Sequence, residues 1–182
     1  MSEKVLFISS SLRARSNSEI LAKEAEKGAK DAGFETEFLT LKDKDIQFCK
    51  GCLTCMKTEK CIIKDDVAGI IEKVRNADIL VFATPIYYWG LSGQLKTLLD
   101  RMEPIYSHEY RFRKVYLMVT SMVPGSYGYK TTEIGLQGWV DCFHECKMAG
   151  TFSGDGVDLN KIDQDPKYEP LLKKAFEFGK NL

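Results

Sequence analysis

Two hydrophobic patterns alternate along this chain, short unbroken apolar runs and longer stretches with helical spacing, and their order predicts a fold. VLFIS, Val5 to Ser9, is a continuous apolar run of the kind buried on both faces of a parallel sheet. After a polar loop, SEILAKEAEKGAKDAG from Ser18 places Ile20, Leu21, Ala25, Gly28 and Ala29 on one helical face and stops at Gly33. FETEFLTL, Phe34 to Leu41, alternates apolar and polar positions as an edge strand does. DDVAGIIEKVRNAD then has Val67, Ile70, Ile71 and Val74 at helical spacing behind two acidic residues that favour a helix N-terminus.

The alternation continues to the C-terminus. ILVFATP, Ile79 to Pro85, is a second fully apolar strand, and SGQLKTLLDRMEPI predicts a helix closed by Pro104. KVYLMVTS, Lys114 to Ser121, predicts another strand, TTEIGLQGWVDCFHECKM a helix and MAGTFSG a short last strand. Residues 154–182 then read as a loop and a terminal helix, KYEPLLKKAFEFGKN. Five strands alternating with helices specify an α/β protein with a parallel sheet, because parallel neighbours need helical crossovers. For a chain this short the expected architecture is a flavodoxin-like three-layer sandwich of strand order 2-1-3-4-5, read as a single domain over residues 1–182.

That order sends three loops to one edge of the sheet, where a ligand could touch all of them. Ser9 to Ser18 holds five serines, two arginines and an asparagine just before a helix, a setting in which unpaired N–H groups and the helix dipole attract an anion. Capping of that helix by Ser16 or Asn17 is compatible with phosphate binding. The loop contains neither a G-x-G-x-x-G dinucleotide fingerprint nor a G-x-x-x-x-G-K-[ST] phosphate loop. In the second loop, Pro85, Ile86, Tyr87, Tyr88, Trp89 and Gly90 offer aromatics for a flat ring and backbone N–H groups for its polar edge. The third loop, Ser121 to Tyr129, adds small residues and two tyrosines. An anion-binding loop, an aromatic loop and a small-residue loop at one edge describe a site for a mononucleotide with a planar head, of which FMN is the leading candidate.

SSLRARSNS resembles the G-S-x-R-x-x-[SG]-N-[ST] loop of the NAD(P)H-dependent FMN reductase group of flavodoxin-like proteins, and TPIYYWGLSGQLKTLLDR resembles that group's S-P-x-Y-x-x-x-[SP]-x-Q-L-K-x-[FL]-x-D-R segment. Ser10 stands where that group commonly has Gly, and Leu12 where Pro is frequent. The resemblance implies that Ser11, Arg13, Ser16, Asn17 and Ser18 hold the phosphate, with Ser9 at the root of the loop. It implies further that Pro85 to Gly90 cradle the isoalloxazine and that Ser121, Val123, Pro124, Gly125, Ser126 and Tyr127 flank it. NAD(P)H is the implied donor and a flavin, quinone or other small molecule the acceptor. A dedicated catalytic side chain is not expected, because flavin chemistry belongs largely to the cofactor.

Four of the six cysteines lie in FCKGCLTCMKTEKC with the spacing C-x2-C-x2-C-x5-C: Cys49, Cys52, Cys55 and Cys61. Four thiolates in one compact loop are a ligand set for an iron-sulfur cluster. A four-cysteine zinc site usually has two separated C-x2-C knuckles, and a thioredoxin-like pair normally opens a helix, which Gly51 disfavours. CKGCLTCMKTEKCIIKDD is similar throughout to the cysteine segment of iron-sulfur flavoproteins, a branch of the same group. By that likeness the four cysteines would hold a [4Fe-4S] cluster close to the flavin, with a ferredoxin-like partner as donor. Empty thiols beside a flavin and a zinc-stabilised interaction module are the alternatives.

Other features narrow the setting. Lys and Arg balance Asp and Glu at 26 each, so no bulk charge calls for a nucleic acid or an anionic membrane. Neither a secretory signal pattern nor an apolar run long enough for a membrane span is present, and a cytoplasmic setting is expected. Cys142 and Cys146, spaced as one helical turn, read as small buried hydrophobes, His108 as a surface or subunit-contact residue, and Asp65 and Asp66 as helix caps. By analogy with relatives a homodimer or homotetramer is expected, with the aromatic loop suited to the contact.

Overall fold

The computed structural model describes residues 2–106, 108–159 and 162–182, together with the backbone but not the side chain of Ser126. Five parallel strands form one sheet: β1 Lys4–Ser9, β2 Glu35–Thr40, β3 Ile79–Pro85, β4 Lys114–Ser121 and β5 Lys147–Asp155. Their spatial order is β2-β1-β3-β4-β5, as the alternation predicts. β1, β3 and β4 occupy the centre and are buried almost throughout, which is why they read as unbroken apolar runs. β2 lies at an edge and is less buried, with Leu39 its one buried residue.

Helices cover both faces. Against one face pack α3 (Val67–Asn76), α4 (Gly93–Asp100) and α6 (Ser126–Val140), with Leu80, Phe82, Leu98 and Leu136 in a shared core. On the other lie α1 (Asn17–Asp31) and α7 (Glu169–Lys180), around Phe7, Leu21, Val81 and Ala175. The α1–α7 crossing requires glycine on both sides: a Cβ on Gly28 would come 1.9 Å from the Phe176 carbonyl oxygen, and one on Gly179 would come 1.8 Å from that of Ala25. Strand register aligns the carboxyl ends, with Ser9 opposite Ala83, Pro85 opposite Thr120 and Ser121 opposite Asp155. The loops after β1, β3 and β4 therefore do emerge at one edge.

Several boundaries differ from the sequence expectation. The helix predicted to close at Pro104 ends at Asp100, and Pro104 instead sits in the first turn of the separate α5 (Glu103–Tyr106), where its missing N–H costs no intrahelical bond. α6 starts at Ser126, inside the segment read as a Gly/Pro-rich loop, and ends at Val140. Cys142 and Cys146 thus lie beyond it, in a turn leading to β5, and are not one helical turn apart. Within the cysteine segment, a single-turn helix, α2 (Cys55–Thr58), opens at the third cysteine. β5 extends one residue past the predicted strand at each end, to Lys147, which pairs with Lys114, and to Asp155, which pairs with Ser121.

Candidate functional site

The loop after β1 is built largely from buried hydroxyls. Ser9, Ser10, Ser11, Ser16 and Ser18 are each at most 5% exposed, unusual for serines, and the hydroxyls of the last four are hydrogen-bonded. Ser10 Oγ donates to the Ala83 carbonyl at 3.2 Å and accepts from Ser92 Oγ at 2.9 Å. Ser92 is in turn the N-cap of α4, accepting from the Leu95 N–H at 3.4 Å, and its own N–H donates to Thr84 Oγ1 at 3.2 Å. Ser10 thus has a role that glycine could not fill, and the left-handed residue of this loop is Arg15, with φ 54°. Ser16 caps α1 by accepting from the Glu19 N–H at 3.2 Å.

Three of the loops line one cleft of about 270 Å³, close to the lower end of the range for small-ligand sites, roughly 300 Å³. Ser11, Arg13, Ser16, Asn17 and Ser18 form one side, Pro85, Ile86 and Tyr87 another, and Ser121 and Val123 a third. Among the described residues Arg13 makes no salt bridge, while neighbouring Arg15 is paired with Asp163 at 2.8 Å. The Asn17 side chain faces the C-terminal loop: Nδ2 donates to the Asp158 carbonyl at 2.7 Å and Oδ1 accepts from the Ile162 N–H at 3.5 Å. Its backbone N–H, with that of Ser18, remains at the helix N-terminus where an anion would sit.

Of the other residues expected at this site, Ser9 is wholly buried in β1, its Oγ without a hydrogen-bond partner among the described residues. Tyr88, Trp89 and Gly90 do not line the cleft but build a tight turn beside it. Tyr87 and Gly90 exchange two backbone bonds of 3.1 Å, and Tyr88 and Trp89 between them have φ of 47° and 63°. Both central residues are left-handed, the form of a type I′ hairpin turn, where Asn-Gly is the favoured pair and aromatic residues are strained. Trp89 packs edge-on against Tyr127 at 5.1 Å between centroids, and its carbonyl accepts from Thr131 Oγ1 at 2.5 Å. Tyr88 is fully exposed. The expected row of N–H donors along this loop is only partly available, because Ile86 donates to Thr120 and the N–H groups of Tyr87 and Gly90 are used within the turn.

On the third side, Gly125, with φ 113°, donates its N–H to Asp155 Oδ2 at 2.7 Å. Burial would raise the Asp155 carboxyl, but that bond and one from Ser153 Oγ outweigh it and hold the group below its ordinary value. Pro124 faces Gly156, Tyr127 is two-thirds exposed, and the Ser126 side chain lies outside the described residues. Three lining residues lie outside the loops read from the sequence, Thr120, Val157 and Leu159, while Met122 falls within the third loop. Val157 and Leu159 follow β5, and the strand order alone would have brought that loop to the same edge.

The cysteine loop is organised differently. Cys49 and Cys52 are exposed, Cys61 is half-buried and Cys55 is buried at the start of α2. The chain turns through left-handed Gly51, Leu53 and Glu59. Three sulfurs accept hydrogen bonds: Cys49 from the Gly51 N–H at 3.4 Å, Cys52 from Thr54, and Cys61 from Arg101 Nη2 at 3.5 Å. The Thr54 bonds lower the Cys52 thiol, whereas burial raises that of Cys55. This donor set fits a thiolate-held group in chemistry, four soft ligands with N–H groups aimed at three of them. Among the described residues, however, no three His, Cys, Asp or Glu side chains are gathered closely enough to hold a metal ion.

Asp65, expected as a helix cap, has a larger role. Its side chain is fully buried against Arg101, itself 2% exposed, in a bidentate pair of 2.6 and 3.0 Å. It also accepts from the backbone N–H groups of Gln47 and Val67, at 2.9 and 3.1 Å. Burial opposes the charge, but the bonds from Arg101, Gln47 and Val67 hold the Asp65 carboxyl below its usual range. Asp66 occupies the N-cap position of α3, yet its side chain accepts from the Asp45 N–H and makes no cap bond.

Residues 3–155 match the family described as NADPH-dependent FMN reductase. The chain belongs to that family. An iron-sulfur flavoprotein of Methanocaldococcus jannaschii is 42% identical to it over 102 residues, 56% of this chain and 53% of that protein. A second iron-sulfur flavoprotein, from Archaeoglobus fulgidus, is 38% identical over 108 residues, 59% of this chain and 55% of its own length. The matches to these curated relatives span about half their length. In fold, the chain is similar to an NAD(P)H:quinone oxidoreductase from Methanothermobacter marburgensis, with a TM-score of 0.73, 16% identity and coverage of 100% of this chain and 99% of that one. No helix among the described residues is long and apolar enough to cross a membrane.

Proposed function

We propose that this member of the FMN reductase family binds FMN in the three-loop cleft and passes electrons from NAD(P)H, or from a reduced protein carrier, to a small acceptor such as a flavin or quinone. The observation that carries this reading is the convergence of an unpaired Arg13, the capped N-terminus of α1 and the Pro85–Tyr87 wall on one cleft. FMN, when bound, supplies hydride and single-electron chemistry. Arg13 and the N–H groups of Asn17 and Ser18 neutralise a phosphate, the buried serines supply further hydroxyls, and Ile86, Val123 and Val157 keep water from the inner wall. The turn's own N–H groups at Tyr88 and Trp89 are the donors left to meet the polar edge of a flat ring. The aromatic turn also suits a contact between copies in a homodimer or homotetramer.

A second reading is favoured by the N–H···S bonds of the cysteine loop and by the names of the relatives: a [4Fe-4S] cluster on Cys49, Cys52, Cys55 and Cys61 that exchanges electrons with a ferredoxin-like carrier. Two measurements on anaerobically purified protein test these readings. Retained or titratable FMN that bleaches with NAD(P)H supports the reductase, and a protein that binds no FMN overturns both. Iron and acid-labile sulfide near four per chain support the cluster, whereas their absence after reconstitution removes it and leaves the reductase standing.

A further inference from the structure

Charge is distributed unevenly over this neutral chain, and we infer that residues 42–64 form a docking surface for an acidic protein, one apolar side chain of which seats in a groove beside Phe48. The segment holds six lysines, Lys42, Lys44, Lys50, Lys57, Lys60 and Lys64, against Asp43, Asp45 and Glu59, a net +3 in a chain whose charges sum to zero. All of these lysines but Lys42 are exposed. Among the described residues the segment's salt bridges are those of Glu59 with Arg75 and His108, and none involves a lysine. Lysines on the long helices behave differently: Lys23, Lys27, Lys30, Lys96 and Lys173 each pair with a carboxylate one turn away. The lysines of the cysteine segment are thus left facing solvent as uncompensated point charges.

Large apolar side chains lie exposed among these charges: Phe48, Leu53, Met56 and Ile62. Phe48, 79% exposed, joins Leu12, Leu41 and Ile46 as the apolar wall of a groove of about 330 Å³, which Lys44 and Thr97 also line. An apolar pocket with a charged surround is the anatomy of a protein–protein contact, in which a seated side chain supplies affinity and the charges supply approach and orientation. Leu12 stands between Ser11 and Arg13, which line the three-loop cleft, so a partner seated in the groove rests against the loop proposed to hold the phosphate. That this partner is the protein carrier of electrons rests on the proposed function, whereas the docking itself does not. Lysine, a hydrated point charge, suits the steering of a transient partner. A nucleic acid is the poorer match, because the segment has no arginine fork for phosphates and Asp43 and Asp45 interrupt its lysines. A lipid surface is likewise disfavoured, since the apolar residues are spread over a loop and a single helical turn instead of along an amphipathic helix.

The probe is a short synthetic peptide of aspartate and glutamate around one central phenylalanine, titrated into the full-length, isotope-labelled, FMN-loaded protein and followed by amide NMR shifts. We expect shifts confined to residues 42–64 and to the neighbourhood of Leu12, weakening as salt is raised. Phe48→Ser, or alanine in place of the peptide's phenylalanine, should lower affinity about tenfold, and Lys44→Glu should do the same through charge reversal at the groove. Lys174→Glu, the same change of charge on an exposed and unpaired residue of α7, should leave affinity unchanged. Lys50→Glu repeats the reversal at a second exposed position, in case Lys44→Glu lowers the melting temperature. Absence of shifts, shifts elsewhere, or equal losses from Lys44→Glu and Lys174→Glu overturn the inference. Tighter binding of a DNA duplex or of phosphatidylglycerol vesicles at the same residues overturns it in favour of that ligand. Should the protein take up no FMN, the proposed function falls by itself, and the same titration of the flavin-free chain still decides the docking.

Discussion

The two loops at either end of α4 hold chemically reactive groups by opposite means. On the cleft side, the hydroxyls of four buried serines, Ser10, Ser11, Ser16 and Ser18, are bonded within the loop, to β3 or to a helix end, so the proposed anion site would be shaped before any ligand arrives. On the cysteine side, Cys49 and Cys52 are exposed, and the loop is bonded largely to itself, with Arg101 as its buried partner and Arg75 and His108 as partners of Glu59. The first loop is preorganised by the sheet that generates it. The second follows an edge strand, has no second sheet neighbour to shape it, and is held by one buried ion pair, Asp65 with Arg101, and by the more exposed contacts of Glu59 with Arg75 and His108. Stability lost at the cleft should therefore be divided over several modest bonds, whereas at the cysteine loop it should be concentrated.

The largest expected effect follows from that concentration. Asp65→Ala leaves the Arg101 guanidinium buried without its counter-charge, which costs about 3–5 kcal/mol, and chemical denaturation should show it as a lower midpoint. Acid should probe the same group. Asp65 and Asp155 both have folded values below their ordinary ones, so the stability each contributes is fully present above the unfolded value, about 4, and is lost as pH falls through the folded value. Thermal melts should be insensitive to these two groups from neutrality to about pH 5 and fall below it, with Asp155→Asn flattening the acid limb. A wild-type melt declining from neutrality would place its cause in other groups.

At the cleft, Arg13→Ala removes the one cation there that is free of salt bridges among the described residues. FMN affinity should fall by about ten- to a hundredfold, the loss of a charge-assisted hydrogen bond, while the denaturation midpoint stays put because the side chain is exposed. Ser10→Ala should act in the other direction, on stability more than affinity. It strands the buried Ser92 hydroxyl, which costs about 1–3 kcal/mol, and loosens α4 where it meets the cleft. If Ser10→Ala proves as damaging as Asp65→Ala, the contrast between divided and concentrated anchoring is wrong.

The same contrast explains what could be read from the sequence. Strand order and the three-loop convergence were legible because unbroken runs such as ILVFATP have one physical home, the centre of a parallel sheet. Ten of the residues expected at the cleft line it for that reason. Less visible were features that depend on tertiary neighbours. No periodicity announces that Asp65 meets Arg101 across 36 residues, or that Asn17 turns to the C-terminal loop. The start of α6 was hidden because Gly125, Gly128 and Pro124 imitate a loop, although Gly125 precedes the helix and Gly128 makes room for Trp89, whose ring lies 3.1 Å from where a Cβ would be. Of the two thiols read as small buried hydrophobes, Cys142 is exposed and Cys146 is half-buried, where burial pushes it up to about 11, so that it should resist alkylation at neutral pH.

The smallest expected effect concerns the aromatic turn, which belongs to neither regime. Tyr88 is fully exposed yet held at φ 47°, in a turn position that favours asparagine. With no packing to lose, Tyr88→Asn should raise stability by about 0.5–1 kcal/mol through relief of left-handed strain, a shift that careful thermal melts can resolve. A stabilised variant would mean that the tyrosine is kept against the folding preference of its own turn, and turnover with NAD(P)H or self-association should then be what suffers. Were Tyr88→Asn instead to destabilise the isolated chain, the ring would have contacts in solution, and the turn would be a packed element of the cleft, held as firmly as the serine loop beside it.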